Sequence, residues 1–226
     1  AGDHASGASS RALPGAARQV IETRLAKPLG LGAAEAAWGI HDIANEDMAS
    51  AARLHLVFDG ELNDQLVGFY RSTFASSEPS GDAVEHTIAV TQFESTHARR
   101  AFPCFDEPAM KATFDVSMTI ATGDMAISNG AQVADTPGPE PGKHTLAFAT
   151  TPKMSTYLVA LLVGDFVCRS GESAGTPIRI CSTPDKRGLT GFALEAARQQ
   201  LEYFNAYFGI PYPFDKLDIV AIPDFA

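Results

Sequence analysis

The sequence predicts a mainly β fold in which antiparallel strands are preceded by a helical hairpin and followed by one long helix and a last strand. Three observations support this prediction. Apolar residues recur with a helical period up to about residue 53, alternate with polar residues over much of residues 54–182, and return to a helical period after Gly188. A period of two places side chains on opposite faces of a strand, whereas a period of 3.6 lines one face of a helix.

The opening part of the chain is expected to form two helices. It begins with a loose Ala/Gly/Ser-rich end. Val20, Ile21 and Leu25 then recur on one face of a first helix over residues 14–27, which the following proline stops. A second helix over Ala33–Arg53 keeps an apolar stripe with the same period. These two helices form the predicted hairpin.

The strands expected in the middle of the chain are short and separated by turn-forming residues. In the clearest of them, Phe114, Val116, Met118 and Ile120 alternate with polar residues, so one face should be buried and the other solvated. The other predicted strands are Leu54–Phe58, Gln65–Thr73, Val84–Phe93, Met125–Asn129, Lys143–Thr150, Tyr157–Val167 as a central strand, and Pro177–Ser182. A Pro/Gly-rich loop is expected over Asp135–Gly142. Turn signals this frequent favour layers of antiparallel strands.

The last part of the chain is expected to form a helix and a strand. A helix of about 20 residues should place five residues on one side, namely Phe192, Ala196, Gln200, Tyr203 and Tyr207. Gly209 lies where a helix-ending glycine belongs, and two prolines follow it closely. A final strand is expected over Leu217–Ile222. This order of elements is typical of the beginning of an αβ unit, which implies more sheet to come.

The composition favours a soluble globular protein. Its 17 basic and 27 acidic residues give a net charge of −10 without any block of Lys or Arg, so nucleic acid is not an expected partner. The longest apolar run, Tyr157–Gly164, is far shorter than the roughly 20 residues that a membrane span needs. No targeting segment is visible, which leaves the compartment open. Cys104, Cys168 and Cys181 match no disulfide framework and are expected to be buried thiols.

The common motifs of self-sufficient catalysis do not occur. None of the six histidines begins an H-E-x-x-H pair, which would place two imidazoles one helical turn apart on a metal. No G-x-S-x-G elbow and no phosphate-binding loop is found. Cys104 and His97 could form a nucleophilic dyad, but no orienting partner accompanies them. The sequence therefore assigns neither a catalytic residue nor a metal ligand to this chain.

The candidate site lies in an unusually polar stretch, Thr91–Phe114. Within it, Gln92 and Glu94 are two residues apart, so on a strand both side chains would point to one face and could bind a common ligand. An ammonium group presents three donors and no acceptor. A carboxylate beside an amide oxygen satisfies such a group with short, charge-assisted hydrogen bonds. The pair is therefore a candidate binding site for an amine.

A structural alternative stays open for the same residues. Ser95 or Thr96 would cap a short helical turn, and Glu94 would pair with one of the arginines at 99–100. The run Asp106-Glu107-Pro108 is likewise typical of a turn held by those arginines. Under this alternative the protein is a non-catalytic β-sandwich interaction module with an acidic groove.

From about residue 52 onward the sequence closely resembles the M1-family zinc aminopeptidases. The resemblance is strongest in Gln92-Phe93-Glu94-Ser95-Thr96, Ala98-Arg99-Arg100-Ala101-Phe102-Pro103-Cys104-Phe105-Asp106-Glu107-Pro108 and Lys111-Ala112-Thr113-Phe114. It continues through Leu62–Tyr70, Ser128-Asn129-Gly130, Lys153–Leu158 and Gly164-Asp165-Phe166. The stretches Tyr207–Pro213, Lys216-Leu217-Asp218 and Pro223-Asp224-Phe225 resemble the opening of that family's thermolysin-like catalytic domain.

The resemblance implies an incomplete, saddle-shaped β-sandwich over residues 54–186 and the start of a catalytic domain over residues 187–226. It makes Gln92 and Glu94 substrate-binding candidates, with Glu94 holding the free α-ammonium of a peptide. In the family, the substrate loop and the H-E-x-x-H…E zinc site follow later than the last residue of this chain. Zinc is thus expected in the full-length parent enzyme, and the missing catalytic domain is an expected partner. This chain alone is predicted to be an inactive fragment.

Residues 1–53 resemble a family other than the M1 aminopeptidases. Three stretches are similar to a helical segment of the hydantoinase/5-oxoprolinase family: Ala26–Leu31, Glu35–Ile40 and Ile43–Arg53. They bring no nucleotide or metal site. The chain is therefore interpreted as a chimera with a seam near Ala51–Leu54. A β-saddle without its first strands would have unpaired edges, so reduced stability in isolation is expected.

Overall fold

A computed structural model describes residues 18–24, 56–77 and 83–225, the first of these segments as backbone alone. The described residues form three sheets and one α-helix. In chain order the strands are β1 (Arg18–Arg24), β2 (Gly68–Ser77), β3 (Ala83–Gln92), β4 (Thr113–Ala121), β5 (Met125–Ser128), β6 (Gln132–Pro137), β7 (Lys143–Phe148), β8 (Leu161–Gly164), β9 (Val167–Ser173), β10 (Thr176–Ser182) and β11 (Leu217–Val220). The helix α1 spans Thr190–Phe208. The prediction of a mainly β, largely antiparallel fold is confirmed.

The strands form three separate sheets. The first has the order β1-β4-β7-β6, the second β2-β3-β8-β5 and the third β11-β10-β9. Two pairs among the described strands, β1 with β4 and β10 with β11, are parallel, and the other pairs are antiparallel. Short connections join β2 to β3, β6 to β7 and β9 to β10, as hairpins require, whereas β8 pairs with strands that lie much earlier in the chain.

The core lies in successive layers between these sheets. One cluster joins the first and second sheets and includes Phe93, Phe114 and Met118. A second cluster lies on the opposite face of the second sheet and joins it to β10, with Tyr70 and Cys181 among its members. A third cluster packs β10 against α1. The second sheet is therefore covered on both faces, which explains why β8 is apolar on both faces.

The predicted first helix is wrong where the structure describes it. Arg18–Arg24 forms a strand that pairs in parallel with Thr113–Thr119 of β4. The edge of β4 offers a row of backbone donors and acceptors that a neighbouring strand can satisfy. Val20, Ile21 and Thr23 are β-branched and suit a strand, so pairing outweighs the weak helical period of a short segment. The second predicted helix, Ala33–Arg53, lies outside the described residues.

Most of the predicted strands in the middle of the chain are confirmed with shifted ends. The buried face of β4 consists of the four alternating apolar residues named above, all at most 3% exposed. The predicted strand Tyr157–Val167 is central but shorter, because Thr156–Leu158 forms a 3₁₀ turn before β8. Residues 56–58 form no strand. β6 occupies the start of the predicted loop Asp135–Gly142, and β9 was not predicted.

The prediction of three free thiols is wrong for two of them. Cys168 and Cys181 are cross-strand partners in the β9–β10 ladder and form a disulfide. Cys104 is the free cysteine. The pairing depends on a hairpin between two residues that are 13 positions apart in sequence. Because β9 was not predicted, the sequence pattern gave no sign that the two cysteines face each other.

The helix α1 is confirmed, and the structure shows which of its sides is buried. The buried residues are Thr190, Ala197 and Leu201, whereas Phe192 is 85% exposed and Tyr207 is 68% exposed. Gly209 ends the helix with φ of 64°, the left-handed conformation that glycine adopts most easily. Within the described residues, no helix is long and apolar enough to cross a membrane.

Candidate functional site

The candidate pair lies where β3 ends. Gln92 is the last residue of β3, and Glu94 lies two residues later, outside the strand. The backbone N–H of Glu94 donates a hydrogen bond of 3.0 Å to Oε1 of Gln92. Glu94 is exposed, Gln92 is half-buried, and the peptide bond after Glu94 is cis. Because Glu94 lies outside β3, the alternation of side chains along a strand does not apply to this pair. A local turn brings the two residues together instead.

The turn that follows Glu94 is anchored in the core on both sides. Phe93 is 2% exposed and its ring meets the ring of Phe102 edge-on at 5.9 Å. The N–H of His97 donates to the carbonyl of Phe93 at 2.8 Å, and a 3₁₀ turn over Ala98–Arg100 follows. The cap of this turn is His97, so the prediction that Ser95 or Thr96 caps it is wrong.

Asp106 is the buried acceptor that holds this turn. Its carboxylate accepts hydrogen bonds from the backbone N–H of Arg99 at 3.0 Å, from Nε of Arg99 at 3.3 Å and from the hydroxyl of Thr156 at 2.6 Å. Burial alone would raise the pKa of Asp106, but the hydrogen bonds from Thr156 and Arg99 outweigh burial and hold the pKa below its usual value. The predicted pairing of these arginines with the acids of the next turn is confirmed for Arg99, which also lies 3.7 Å from Glu107.

The structure disfavours a nucleophilic role for Cys104. Burial, followed by the nearby charge of Asp106, raises the pKa of the Cys104 thiol to about 12. A cysteine nucleophile needs the opposite, because the thiolate is the reactive form. Cys104 also packs against the first core cluster. It is better explained as a core residue than as part of a dyad with His97.

Metal binding finds no support among the described residues. They contain no group of three or more His, Cys, Asp or Glu side chains that could hold a metal ion. A zinc ion in a protein needs at least three such ligands together. The residues described here therefore do not fit a zinc site.

A charge cluster that the sequence pattern did not predict joins β10 and β11 to the second sheet. Arg179 donates to both carboxylate oxygens of Asp218, at 2.8 and 2.6 Å. Lys216 donates to Asp218 at 2.5 Å and to the carbonyl of Ser128 in β5 at 2.7 Å. Lys216 and Asp218 are two residues apart, so strand periodicity could have revealed that they share a face. Arg179 and Ser128 are distant in sequence and could not have been found in that way.

A second junction fastens the last described residues to β2. The hydroxyl of Tyr70 donates to the carbonyl of Asp224 at 2.8 Å, and the hydroxyl of Ser72 lies 3.3 Å from a carboxylate oxygen of Asp224. Burial and the charge of Asp224 raise the pKa of Tyr70 to about 12, so the phenol stays protonated and donates. The segment that follows β11 is thus held on the second sheet.

A cavity of about 440 Å³ lies beside the charge cluster. It is bounded by the second sheet and by residues 212–220, and its lining includes Asn129, Met154, Leu158, Tyr212, Phe214 and Lys216. Gln92 and Glu94 do not line it. The candidate pair and this cavity are therefore separate features.

Comparison with known proteins identifies similar sequences. A sequence model of the family described as "Peptidase M1 N-terminal domain" matches residues 36–158. The chain is 41% identical over 175 residues to a puromycin-sensitive aminopeptidase of Caenorhabditis elegans. The aligned region covers 77% of this chain and 18% of the relative. It is 45% identical over 170 residues to endoplasmic reticulum aminopeptidase 2 of Homo sapiens, covering 75% of this chain and 17% of the relative.

A yeast relative extends the same comparison. Alanine/arginine aminopeptidase of Saccharomyces cerevisiae is 40% identical over 181 residues, covering 80% of this chain and 21% of the relative. The chain therefore spans about a fifth of the length of the curated relatives that it matches.

Proposed function

The chain belongs to the M1 peptidase family, and on that premise we propose that it is the substrate-amine-binding part of a zinc-dependent aminopeptidase that removes amino-terminal residues from peptides. The similarity to three aminopeptidases over at least 75% of this chain carries the proposal. Because the match covers only about a fifth of each relative, the activity belongs to a larger protein to which this chain contributes one wall of the cleft.

In this proposal Glu94 binds the free α-ammonium of the peptide and Gln92 assists it. The exposure of the Glu94 carboxylate supports this role, because a ligand could reach it. Among the described residues, the ion pairs of Arg99 are with Asp106 and Glu107, so this arginine is engaged elsewhere. A charge-assisted hydrogen bond to an ammonium group is worth about 1.5–3 kcal/mol.

The test of this role is substitution of Glu94 in the full-length enzyme. Glu94→Ala should raise KM for a peptide with a free amino terminus by roughly tenfold or more, because the ammonium loses its charged acceptor. Glu85→Ala, which removes an exposed glutamate from β3, the strand that ends shortly before Glu94, is the matched control and should leave KM unchanged. Leucinamide and N-acetyl-leucinamide are then compared as competing ligands. An equal loss of affinity for both would show that Glu94 does not recognise the ammonium.

The zinc of the proposed enzyme is assigned to residues outside this chain. Bound zinc would activate water and polarise the scissile carbonyl of the peptide. The residues of this chain would orient the amino terminus of the peptide, which is a positioning contribution to the reaction. No catalytic residue is assigned among them.

The proposed partner within the enzyme is the remainder of its catalytic domain. The second half of α1 and the residues after it expose several large aromatic or aliphatic side chains, between 47% and 68% exposed: Tyr203, Phe204, Tyr207, Phe208, Ile210 and Phe214. Apolar patches of this kind mark surfaces that contact other protein. Packing of the remaining domain on this surface is consistent with a saddle-like β domain beside a thermolysin-like domain.

The proposed chimeric origin of residues 1–53 is a separate hypothesis. It is motivated by the hydantoinase-like stretches, and the M1 family match begins at residue 36, inside that segment. Sequencing the transcript across codons 36–54 tests the chimeric origin. Sequencing beyond codon 226 tests the proposal that the chain is part of an aminopeptidase. Continuous M1-like coding sequence on the amino-terminal side would contradict the chimera. A stop codon directly after codon 226 would favour the alternative of a non-catalytic interaction module.

A further inference from the structure

We propose that Asp106 is a positioning residue for Glu94, because its buried carboxylate fixes the turn Phe93–Arg100 that presents Glu94 to the peptide amine. The inference rests on the proposed function of Glu94. Asp106 itself is 3% exposed and contacts no substrate in this proposal.

The geometry connects Asp106 to Glu94 through the backbone. The N–H of Arg99 donates to Oδ2 of Asp106 at 3.0 Å, and Arg99 lies five residues after Glu94 in the same turn. The guanidinium of Arg99 adds two contacts, with Nε on the Asp106 carboxylate at 3.3 Å and Nη2 on the Asp106 carbonyl at 3.0 Å. The turn is therefore tied to the loop at residue 106 through both the backbone and the side chain of one residue.

The other carboxylate oxygen ties the same loop to the second sheet. Oδ1 of Asp106 accepts from the hydroxyl of Thr156 at 2.6 Å. Thr156 begins the 3₁₀ turn that leads into β8, and β8 pairs with β3, the strand that ends at Gln92. Asp106 thus links the end of β3 to the beginning of its neighbouring strand. Glu94 is exposed and has little packing of its own, so its position depends on these neighbours.

The donors around Asp106 favour a charged acceptor. Both groups of Arg99 that reach the carboxylate are obligate donors, whereas the hydroxyl of Thr156 can donate or accept. An asparagine at position 106 could place its oxygen toward Arg99 and its NH₂ toward Thr156, which keeps the shape but removes the charge. Charged acceptors form the stronger hydrogen bonds, so the turn should loosen without loss of the fold.

Amide hydrogen exchange in the 226-residue chain tests the positioning role directly. In Asp106→Asn, the amides of His97 and Arg99 should exchange about ten times faster, whereas amides in β5 and β8 should keep their wild-type rates. Thr156→Val removes one of the donors and should give a smaller effect in the same direction. Asp135→Asn, an exposed aspartate that pairs with His144, is the matched control and should change none of these rates.

Binding of leucinamide, followed by NMR titration, connects the turn to the amine. Asp106→Asn should weaken leucinamide binding roughly three- to thirty-fold, and this loss should disappear in a Glu94→Ala background, because coupled residues are not additive. A merely structural role would instead accelerate exchange throughout the chain and give the same loss in both backgrounds.

Each contrary result has a distinct meaning. The positioning role is overturned if Asp106→Asn accelerates amide exchange equally throughout the chain or does not change it at all. It is also overturned if the loss of leucinamide binding persists in the Glu94→Ala background. Wild-type binding of leucinamide that is no tighter than binding of N-acetyl-leucinamide overturns the proposed function of Glu94 and, with it, the substrate role of Asp106. In that case the exchange rates still report separately whether Asp106 holds the turn.

Discussion

Asp218 is buried beside two cations, and its side chain is only 6% exposed. Burial alone would raise its pKa, but hydrogen bonds from Arg179 and Lys216 outweigh burial and hold the pKa below its usual value. A buried ion pair contributes little net stability compared with apolar residues of the same size, yet loss of one partner leaves the other uncompensated. The cluster therefore makes the junction between β5, β10 and β11 sensitive to single substitutions.

Asp218→Ala is expected to lower the free energy of unfolding by about 3–5 kcal/mol, because Arg179 and Lys216 lose their shared acceptor. Urea denaturation at neutral pH measures the change. Asp215→Ala removes an exposed carboxylate from the same segment and should change stability by less than about 0.5 kcal/mol. Equal effects of the two substitutions would contradict the importance of the cluster.

The same cluster predicts the acid dependence of stability. Because the folded-state pKa of Asp218 is lower than its unfolded value of about 3.9, its stabilising contribution is complete above that value and is lost as the pH falls through the folded pKa. Asp218→Asn should therefore show a weaker decrease of stability than wild type between about pH 4 and pH 2. Parallel stability curves for the two proteins in this range would contradict the assignment.

Among the secondary-structure elements, α1 illustrates how a helix can be predicted from its period although only the fold decides which face is packed. Its packed face carries Ala193, Leu194, Ala197 and Leu201, which contact Ile178 and Ile180 of β10. Its aromatic residues lie on other faces and stack on one another, as do Tyr203 and Tyr207 at 5.8 Å. Because α1 has apolar residues on several faces, its helical period does not specify which face packs against the sheet.

Two substitutions on α1 distinguish its faces. Leu201→Ala should lower the free energy of unfolding by about 2–5 kcal/mol, because it removes buried methyl groups and creates a cavity. Tyr207→Ala should change it by less than about 0.5 kcal/mol, since the ring is 68% exposed. Chemical denaturation measures both. The reverse order would contradict the packed face that the structure gives to α1.

The β9–β10 hairpin provides the next prediction. Reduction of the Cys168–Cys181 disulfide should lower the free energy of unfolding by about 3 kcal/mol, because the bond closes a loop of 13 residues. Thermal denaturation with and without reductant measures this, and peptide mapping without reduction identifies the pair. Cys104→Ser should leave the effect of the reductant unchanged. A mapped bond that includes Cys104, or the absence of a reductant effect, would contradict the pairing.

At the scale of the whole molecule, the first sheet determines the structure of the segment Arg18–Arg24. β1 extends the first sheet on the open side of β4, and its seven residues pair with Thr113–Thr119. An unpaired β4 would present a free edge to other chains. The segment that was predicted to be a foreign helix thus covers an edge of the β domain.

Deletion of residues 1–53 is expected to destabilise the chain by about 1–3 kcal/mol and to lower Tm by roughly 3–10 °C, because the parallel pairing with β4 is lost. Ile21→Pro, which removes one backbone donor within β1, should have a smaller effect in the same direction. Scanning calorimetry with light scattering measures both stability and association. A truncated chain that melts cooperatively as a monomer at the wild-type temperature would show that β1 contributes nothing.

The sequence by itself determined the elements whose periodicity reflects burial on one face or both. β4, α1 with its glycine end and the central position of β8 follow from patterns within a few residues, because local spacing sets which side chains share a face. The polar stretch around Glu94 could also be recognised locally, since a run of charged residues is visible without knowledge of its neighbours.

Only the tertiary structure decided which distant residues meet. The strand at Arg18–Arg24 and the hydrogen bond from Thr156 to Asp106 join segments that are far apart in sequence, and the disulfide between Cys168 and Cys181 depends on the register of a hairpin. Such contacts depend on the register and packing of whole sheets, which the local pattern does not specify. For this reason the sequence indicated Glu94, whereas the role of Asp106 in holding its turn became apparent only from the fold.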